Sequence, residues 1–165
     1  MLNAKRKGMA LEAKIMTDLL RCGCAVSVPW GDTERYDLVV DIGGDLLRIQ
    51  VKSSRTRNNG ETIEFDCRSN HYTSKGIKHN KYSEDETDYF ATAYGETSYL
   101  VPVSECESSK VLRLDPAKNN QQKRITCADR YELTKVISKL KDKEREVYND
   151  EQAGGIQLRK GNRKD

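Results

Sequence analysis

The chain has 165 residues, of which 33% are charged and 36% hydrophobic, and its formal net charge is +3. This length accommodates one domain with a hydrophobic core. The basic excess is so small that any binding to nucleic acid must depend on local clusters of Lys and Arg. The sequence contains neither an apolar run of membrane-spanning length nor an N-terminal signal segment, so we expect a cytoplasmic protein without membrane contact. Its five cysteines include no C-x-x-C pair, which argues against a disulfide framework or a zinc site.

The order of predicted elements indicates an α/β fold with a mixed central sheet. Apolar residues at helical spacing predict a first helix over 8–21 and a last helix over 128–147. Strands are expected at 25–29, on both sides of Gly43-Gly44, and at 62–67, 88–94, 98–103 and 111–114. The stretch 68–86 is polar and carries no strand signal. We expect one domain over 1–148, followed by a flexible C-terminal tail over 149–165.

The segment YDLVVDIGGDLLRIQVKS predicts a hairpin that turns at Gly43-Gly44. This turn places Asp37 opposite Gln50, with Cβ atoms roughly 4.5–5.5 Å apart. Lys52 lies on the same face because strand side chains alternate. The other face is almost wholly apolar, which determines the register. An acid, an amide and an ammonium group therefore meet at one end of the hairpin, although a merely solvated polar face is the alternative.

Glu12 projects into the apolar arc of the first predicted helix. Acidic side chains are seldom fully buried unless they are paired. We therefore expect a partner for Glu12, which would be either Lys52 or a metal ion beside Asp37. The alternative is a surface acid at the edge of the helix.

Three segments, KGMALEAKIMTDLLRCG, VSVPWGDTERYDLVV and LLRIQVKSS, resemble the PD-(D/E)XK nuclease superfamily. More narrowly, they resemble its group I intron homing endonucleases, whose motif ends in Gln-X-Lys, and this resemblance covers about 7–131. Tyr36 stands where the superfamily has proline. Gln50 stands where most members have Asp or Glu, which removes a negative charge from the cation site but agrees with the homing branch. The resemblance implies a restriction-endonuclease-like core, with a mixed central β-sheet flanked by helices.

The resemblance also implies metal-dependent phosphodiester hydrolysis. Mg²⁺ prefers oxygen ligands, and Mn²⁺ can replace it. We expect Asp37 to be the first metal ligand, with the Gln50 amide oxygen and the Val51 carbonyl as further ligands. Lys52 would orient the attacking water or stabilise the transition-state charge. Glu12 would hold Lys52 or a metal-bound water. A single cation is the more natural arrangement, although the Glu12 carboxylate leaves two metal ions open.

Three polar or basic segments predict contacts with double-stranded DNA. The first follows the Lys52 strand, the second is HYTSKGIKHNKY and the third is KNNQQKR. Solvated surface loops are the alternative for each. The candidate residues are Arg55, Arg57, Asn58, Asn59, Lys75, Lys78, Lys81, Asn119, Asn120, Gln121, Lys123 and Arg124.

These features predict a Mg²⁺-dependent, site-specific double-strand DNA endonuclease that is similar to a homing enzyme. A chain of this size cannot clamp a long DNA site alone, and the homing branch is tetrameric, so a homo-oligomer (a dimer or a tetramer) is expected. Three alternatives remain open. They are a Holliday-junction resolvase, a solitary restriction endonuclease, and a catalytically inactive DNA-binding module in which Gln50 is the lesion.

Overall fold

A computed structural model of the chain describes residues 3–31, 33–74, 76–115 and 126–158. Helix α1 spans Ala4–Arg21 and helix α2 spans Leu133–Leu158. The strands of these ranges are β1 Ala25–Ser27, β2 Leu38–Ile42, β3 Asp45–Val51, β4 Arg55–Arg57, β5 Thr62–Asp66, β6 Arg68–Thr73, β7 Gly76–Lys81, β8 Tyr89–Tyr94, β9 Thr97–Pro102 and β10 Ser109–Arg113.

Helix α1 has well-defined ends. The side-chain oxygen of Asn3 accepts a hydrogen bond from the backbone N–H of Arg6 at 2.9 Å, which caps the first turn. After the last turn, Gly23 adopts a φ of 73°, a conformation that glycine tolerates. The helix predicted over 8–21 is confirmed, and it begins earlier, at Ala4.

The central sheet has five strands in the order β1-β2-β3-β8-β9. Every neighbouring pair is antiparallel except β3 and β8, which are parallel. Ile42 pairs with Asp45 and Leu38 with Ile49, as the turn at Gly43-Gly44 predicts. The mixed sheet and the hairpin register are confirmed.

Two hydrophobic cores lie against this sheet. The first joins α1 and α2 to the apolar face of the β2–β3 hairpin, through residues such as Ile15, Val40, Ile49 and Ile137. The second packs β8 and β9 against a smaller sheet of order β10-β5-β4, with Phe65 and Phe90 in edge-to-face contact. The α/β class with helices on a mixed sheet is therefore confirmed.

Two parts of the chain differ from the sequence-based expectation. The polar stretch 68–86 contains a hairpin, in which β6 pairs with β7 from Arg68↔Lys81 to Thr73↔Gly76. Helix α2 begins at Leu133, after a short 3-10 helix over Ala128–Tyr131, and continues to Leu158. It therefore includes the first part of the predicted tail, and 159–165 lie outside the described residues. Neither helix is long and apolar enough, over the ranges described, to cross a membrane.

Candidate active site

Asp37 and Gln50 make contact at the end of the β2–β3 hairpin that is opposite its glycine turn. Gln50 Nε2 donates to Asp37 Oδ2 at 2.5 Å, and the backbone N–H of Val51 donates to the same oxygen at 2.7 Å. The backbone N–H of Asp37 donates to the Ile49 carbonyl at 2.9 Å, which extends the strand pairing. The predicted opposition of Asp37 and Gln50 is present, and these bonds hold the carboxylate in place.

The Asp37 carboxyl group is half-buried, and this burial raises its pKa. Hydrogen bonds from Val51 and Gln50 and the positive charge of Lys52 lower the pKa, but they do not cancel the effect of burial. The carboxylate thus has incomplete charge compensation, which is an environment that favours a bound cation.

Lys52, the first residue after β3, places its ammonium group among oxygen atoms and aromatic rings. Nζ donates to the Arg68 carbonyl at 3.1 Å and to the Tyr82 hydroxyl at 3.0 Å. It also lies 4.4 Å from the centre of the Tyr82 ring and 6.0 Å from that of Phe90. Because Arg68 begins β6 and Tyr82 follows β7, the β6–β7 hairpin provides the surroundings of Lys52.

Burial lowers the pKa of Lys52, and the negative charges of Asp37 and Asp66 only partly oppose this effect. A lysine in this environment loses its proton more readily than an exposed lysine does. While the ammonium group is charged, the scarcity of nearby water strengthens its electrostatic interactions. Both properties suit a group that acts on phosphate chemistry.

Arg35 also contacts the Tyr82 ring. Its guanidinium carbon lies 4.1 Å from the centre of the Tyr82 ring, which also meets the Phe90 ring edge-on with centroids 5.3 Å apart. Arg35 donates to the Lys81 carbonyl at 2.7 Å. This arginine therefore connects the β6–β7 hairpin to the chain segment that leads into Asp37.

Glu12 and Asp37 both line a cleft of about 430 Å³ between α1 and the segment that joins β1 to β2, here called the carboxylate cleft. Burial raises the pKa of Glu12, and the negative charge of Asp37 raises it further. Glu12 therefore projects toward the site, as its position on the helix predicts. The two carboxyl groups are close enough to influence each other.

The expected pair between Glu12 and Lys52 is not formed, because Lys52 Nζ contacts Arg68 and Tyr82 instead. Within the described part of the chain, Glu12 makes no hydrogen bond or ion pair, and Asp37 is the charged group that shifts its pKa. A metal ion beside Asp37, the other expected partner of Glu12, stays a prediction.

The donor set of the carboxylate cleft can be tested against the expected metal. Over the described ranges, no group of three or more His, Cys, Asp or Glu side chains is arranged to hold a metal ion. Besides two carboxylates, the site offers the Gln50 amide and the Val51 carbonyl, which lies 3.4 Å from Gln50 Nε2. This set consists of oxygen donors only, so it fits a hard cation such as Mg²⁺ rather than zinc.

The predicted DNA-binding residues after Lys52 have structural partners. Arg55 and Arg57 are exposed on β4, but each forms an ion pair with Glu64, with N–O distances of 3.1 Å and 2.5 Å. Asn58 and Asn59 adopt φ values of 52° and 53° and form the turn before β5. Contact of these four residues with DNA stays a prediction. The Glu64 carboxylate would compete with DNA phosphate for Arg55 and Arg57.

Of the other predicted DNA-binding residues, the two that lie in the described ranges, Lys78 and Lys81, do not line the carboxylate cleft. Lys78 and Lys81 are exposed on β7, whose neighbouring residue Tyr82 contacts Lys52. Their role also stays a prediction. Lys75, Asn119, Asn120, Gln121, Lys123 and Arg124 lie outside the described residues.

The sequence did not reveal the surroundings of Lys52. Tyr82 lies in a polar stretch without strand periodicity, and the acceptor at Arg68 is a backbone carbonyl, which has no sequence signature. Arg35 was visible as a basic residue close to Asp37, but its stacking partner is distant in sequence. Only the folded structure shows that these groups are in contact.

The mixed five-stranded sheet and its two helices form a restriction-endonuclease-like α/β fold. The profile of the PD-(D/E)XK endonuclease family matches residues 2–134. The chain belongs to this family.

Two solved structures are similar to the chain. A bacterial homing endonuclease, I-Ssp6803I, superposes with a TM-score of 0.70 and 24% sequence identity, over 87% of this chain and 97% of that one. Hjc, a Holliday junction resolvase from Archaeoglobus fulgidus, gives a TM-score of 0.46 and 15% identity, over 80% and 96% of the two chains. The similarity to I-Ssp6803I concerns the fold. A comparison with curated protein sequences gives no match.

Proposed function

We propose that the chain is a divalent-cation-dependent endonuclease that cuts both strands of DNA at a specific site, as a homing endonuclease does. The observation that carries this proposal is the convergence of Asp37, Gln50 and Lys52 at one end of a hairpin, with Glu12 in the same cleft. Membership of the PD-(D/E)XK endonuclease family supports the reaction class.

Asp37 and Glu12, together with the Gln50 amide oxygen and the Val51 carbonyl, would hold Mg²⁺, and Mn²⁺ could take its place. When bound, the cation would supply Lewis-acid stabilisation of negative charge on the phosphate. Gln50 now donates through Nε2 to Asp37, so rotation of its amide group would present the oxygen. Gln50 in place of an acid leaves the site one negative charge weaker, so we expect a modest affinity for the cation.

Lys52 has one N–H bond available for the reaction. An ammonium group has three donors, and two of them point to the Arg68 carbonyl and the Tyr82 hydroxyl. The third would donate to a phosphate oxygen or orient the attacking water, and its positive charge would stabilise the transition state.

We expect Tyr82→Phe to slow DNA cleavage by roughly 10- to 150-fold, because a hydrogen bond to a charged group contributes roughly 1.5–3 kcal/mol. The variant keeps the ring contacts with Arg35 and Phe90 but removes the oxygen that accepts from Lys52. The pKa of Lys52 should fall further, so the alkaline limb of the pH–rate profile should move to lower pH. Tyr89→Phe, at a half-buried tyrosine on β8, is the control. A slower rate with an unmoved alkaline limb would indicate a structural effect only.

The pH–rate profile should have an acid limb that is displaced to higher pH and an alkaline limb that is displaced to lower pH. Activity should be lost on the acid side as Asp37 and Glu12 are protonated, above the pH typical of carboxyl groups, because their pKa values are raised. It should be lost on the alkaline side below the pH typical of lysine, because the pKa of Lys52 is lowered. Rates measured at subsaturating Mg²⁺ report the cation-free protein. A profile that stays flat up to the ordinary lysine range would argue against a role for the Lys52 charge.

A homo-oligomer, either a dimer or a tetramer, is part of this proposal, because two copies would place one active site on each strand in a single binding event. Its substrate is double-stranded DNA. Light scattering on the purified protein gives the mass of the assembly, and a monomer that still cuts both strands would contradict this part.

The function is tested by incubating the purified protein with a library of random-sequence duplexes and Mg²⁺ or Mn²⁺, followed by sequencing of the cut ends. We expect one recurrent cut site with a constant stagger. Cutting of a four-way junction but not of its component duplexes would indicate a resolvase instead. DNA binding without cleavage under either metal would indicate an inactive DNA-binding module. A neighbouring methyltransferase gene would point to a restriction enzyme, whereas a gene inside an intron would support the homing assignment.

A further inference from the structure

Trp30, the single tryptophan of the chain, is fully exposed to solvent. It lies in the segment between β1 and β2. The chain as a whole is hydrophilic, with a mean hydropathy of −0.83, so a fully exposed tryptophan is unusual in it. Val28 and Met9, nearby on the two walls of the carboxylate cleft, are 62% and 58% exposed. So much exposed apolar surface in one place is typical of a binding site.

Trp30 lies beside the carboxylate cleft in the chain, and its own side chain is not part of the lining. Its sequence neighbours Pro29 and Gly31 line the cleft, which also contains the carboxyl groups of Glu12 and Asp37. A DNA strand whose phosphate reaches this cleft would run past the segment that carries Trp30. The sugar and base attached to that phosphate would lie within the same region.

Under the proposed nuclease function the ligand at this cleft is a nucleic acid, and Lys5 is the basic residue of the lining that can contact its phosphate groups. Lys5 lines the cleft, and Arg6 and Lys7 follow it on the same exposed turn of α1. Glu34 is the acid on the opposite wall, whereas Glu12 and Asp37 are the proposed cation ligands. Basic side chains beside an exposed aromatic ring are the combination with which proteins bind the backbone and stack on the bases of DNA.

We propose that Trp30 is a DNA-binding residue that stacks on a base, or wedges into a base step, next to the phosphate held at Asp37. This inference rests on the proposed nuclease function and adds a contact that positions the scissile strand. Insertion of an apolar side chain between base pairs unstacks the duplex locally and bends it. Such a distortion would bring the phosphate deeper into the carboxylate cleft.

The sole tryptophan provides a direct test, because fluorescence excited selectively in tryptophan reports on Trp30 alone. The probe is a short mixed-sequence duplex at low salt without divalent cations, so that binding occurs without cleavage. We expect the duplex to quench the emission and to protect it from acrylamide. Trp30→Ala should bind the duplex about 5- to 150-fold more weakly, whereas Trp30→Phe should retain most of the affinity. Leu46→Ala, which removes another exposed apolar side chain near the distant glycine turn, should bind like the wild type.

Parallel cleavage assays with Mg²⁺ separate this inference from the proposed function. If the wild type cleaves DNA but its emission does not respond and Trp30→Ala binds normally, the inference is wrong and the nuclease function stands. If the emission responds but no DNA is ever cut, the Trp30 contact is supported and the nuclease function is not. Emission that changes with protein concentration in the absence of DNA would place Trp30 between copies of the chain and overturn the inference.

Discussion

Asp37→Asn is expected to slow DNA cleavage by about a thousandfold or more, because it removes the central carboxylate of a cation site that contributes several kcal/mol to catalysis. The fold should be unaffected. Gln50 Nε2 and the Val51 N–H both donate to one oxygen of Asp37, and the amide oxygen of asparagine can accept both bonds. The variant therefore changes the charge with little change in shape.

Single-turnover cleavage with saturating DNA measures this effect, and thermal unfolding confirms that the variant is folded. Because burial raises the pKa of Asp37, removing its charge should not lower the unfolding midpoint at neutral pH. Asp41→Asn is the matched control, since Asp41 lies on β2, the strand that Asp37 immediately precedes, but accepts from Gly44 N at the turn. Cleavage by Asp37→Asn within tenfold of the wild-type rate would remove Asp37 from the active site.

Lys52→Met is expected to reduce cleavage by roughly a hundredfold to a thousandfold, the effect of losing one fixed charge at a developing anion. Methionine has a similar length and is apolar, so it can occupy the same half-buried space. The lowered pKa of Lys52 means that its charged form is less favourable in the folded protein than in the unfolded chain. The variant has no charge to bury, so this free-energy cost of folding disappears. We therefore expect a thermal midpoint equal to or above that of the wild type.

Lys110→Met is a closely matched control for this experiment. Lys110 Nζ also donates to a carbonyl, that of Glu105 at 2.8 Å, and lies 5.1 Å from the centre of the Tyr131 ring. It belongs to β10 and does not line the carboxylate cleft. Equal losses of cleavage in Lys52→Met and Lys110→Met would mean that Lys52 affects activity only by stabilising the fold.

The sequence was sufficient to predict the parts of this protein that depend on local pattern. Gly43 and Gly44 adopt φ values of 67° and 116°, and such a turn determines every facing pair in the hairpin. The apolar stripe of α1 likewise determined that Glu12 projects inward. These features gave the register of Asp37 and Gln50, together with the fold class.

The sequence was insufficient where long-range contacts decide the structure. The β6–β7 hairpin has polar side chains on both faces, so it lacks the alternation that identifies a strand. The partners of Lys52 come from this hairpin, which explains why Glu12 was considered as its partner instead. Trp30 was visible as a lone tryptophan, but only the folded chain shows that it is fully exposed and that its neighbours Pro29 and Gly31 line the cleft.

The pairing of β3 and β8 has a consequence for the order of folding. Asp37 and Gln50 are joined by a tight hairpin, and such hairpins close within roughly 1–10 μs. The surroundings of Lys52 require Arg68, Tyr82 and the parallel strand β8, which are contacts of longer range and slower closure. We therefore expect the Asp37–Gln50 half of the site to form before the Lys52 half, so that a nascent chain acquires its cation ligands before it acquires the positioned lysine.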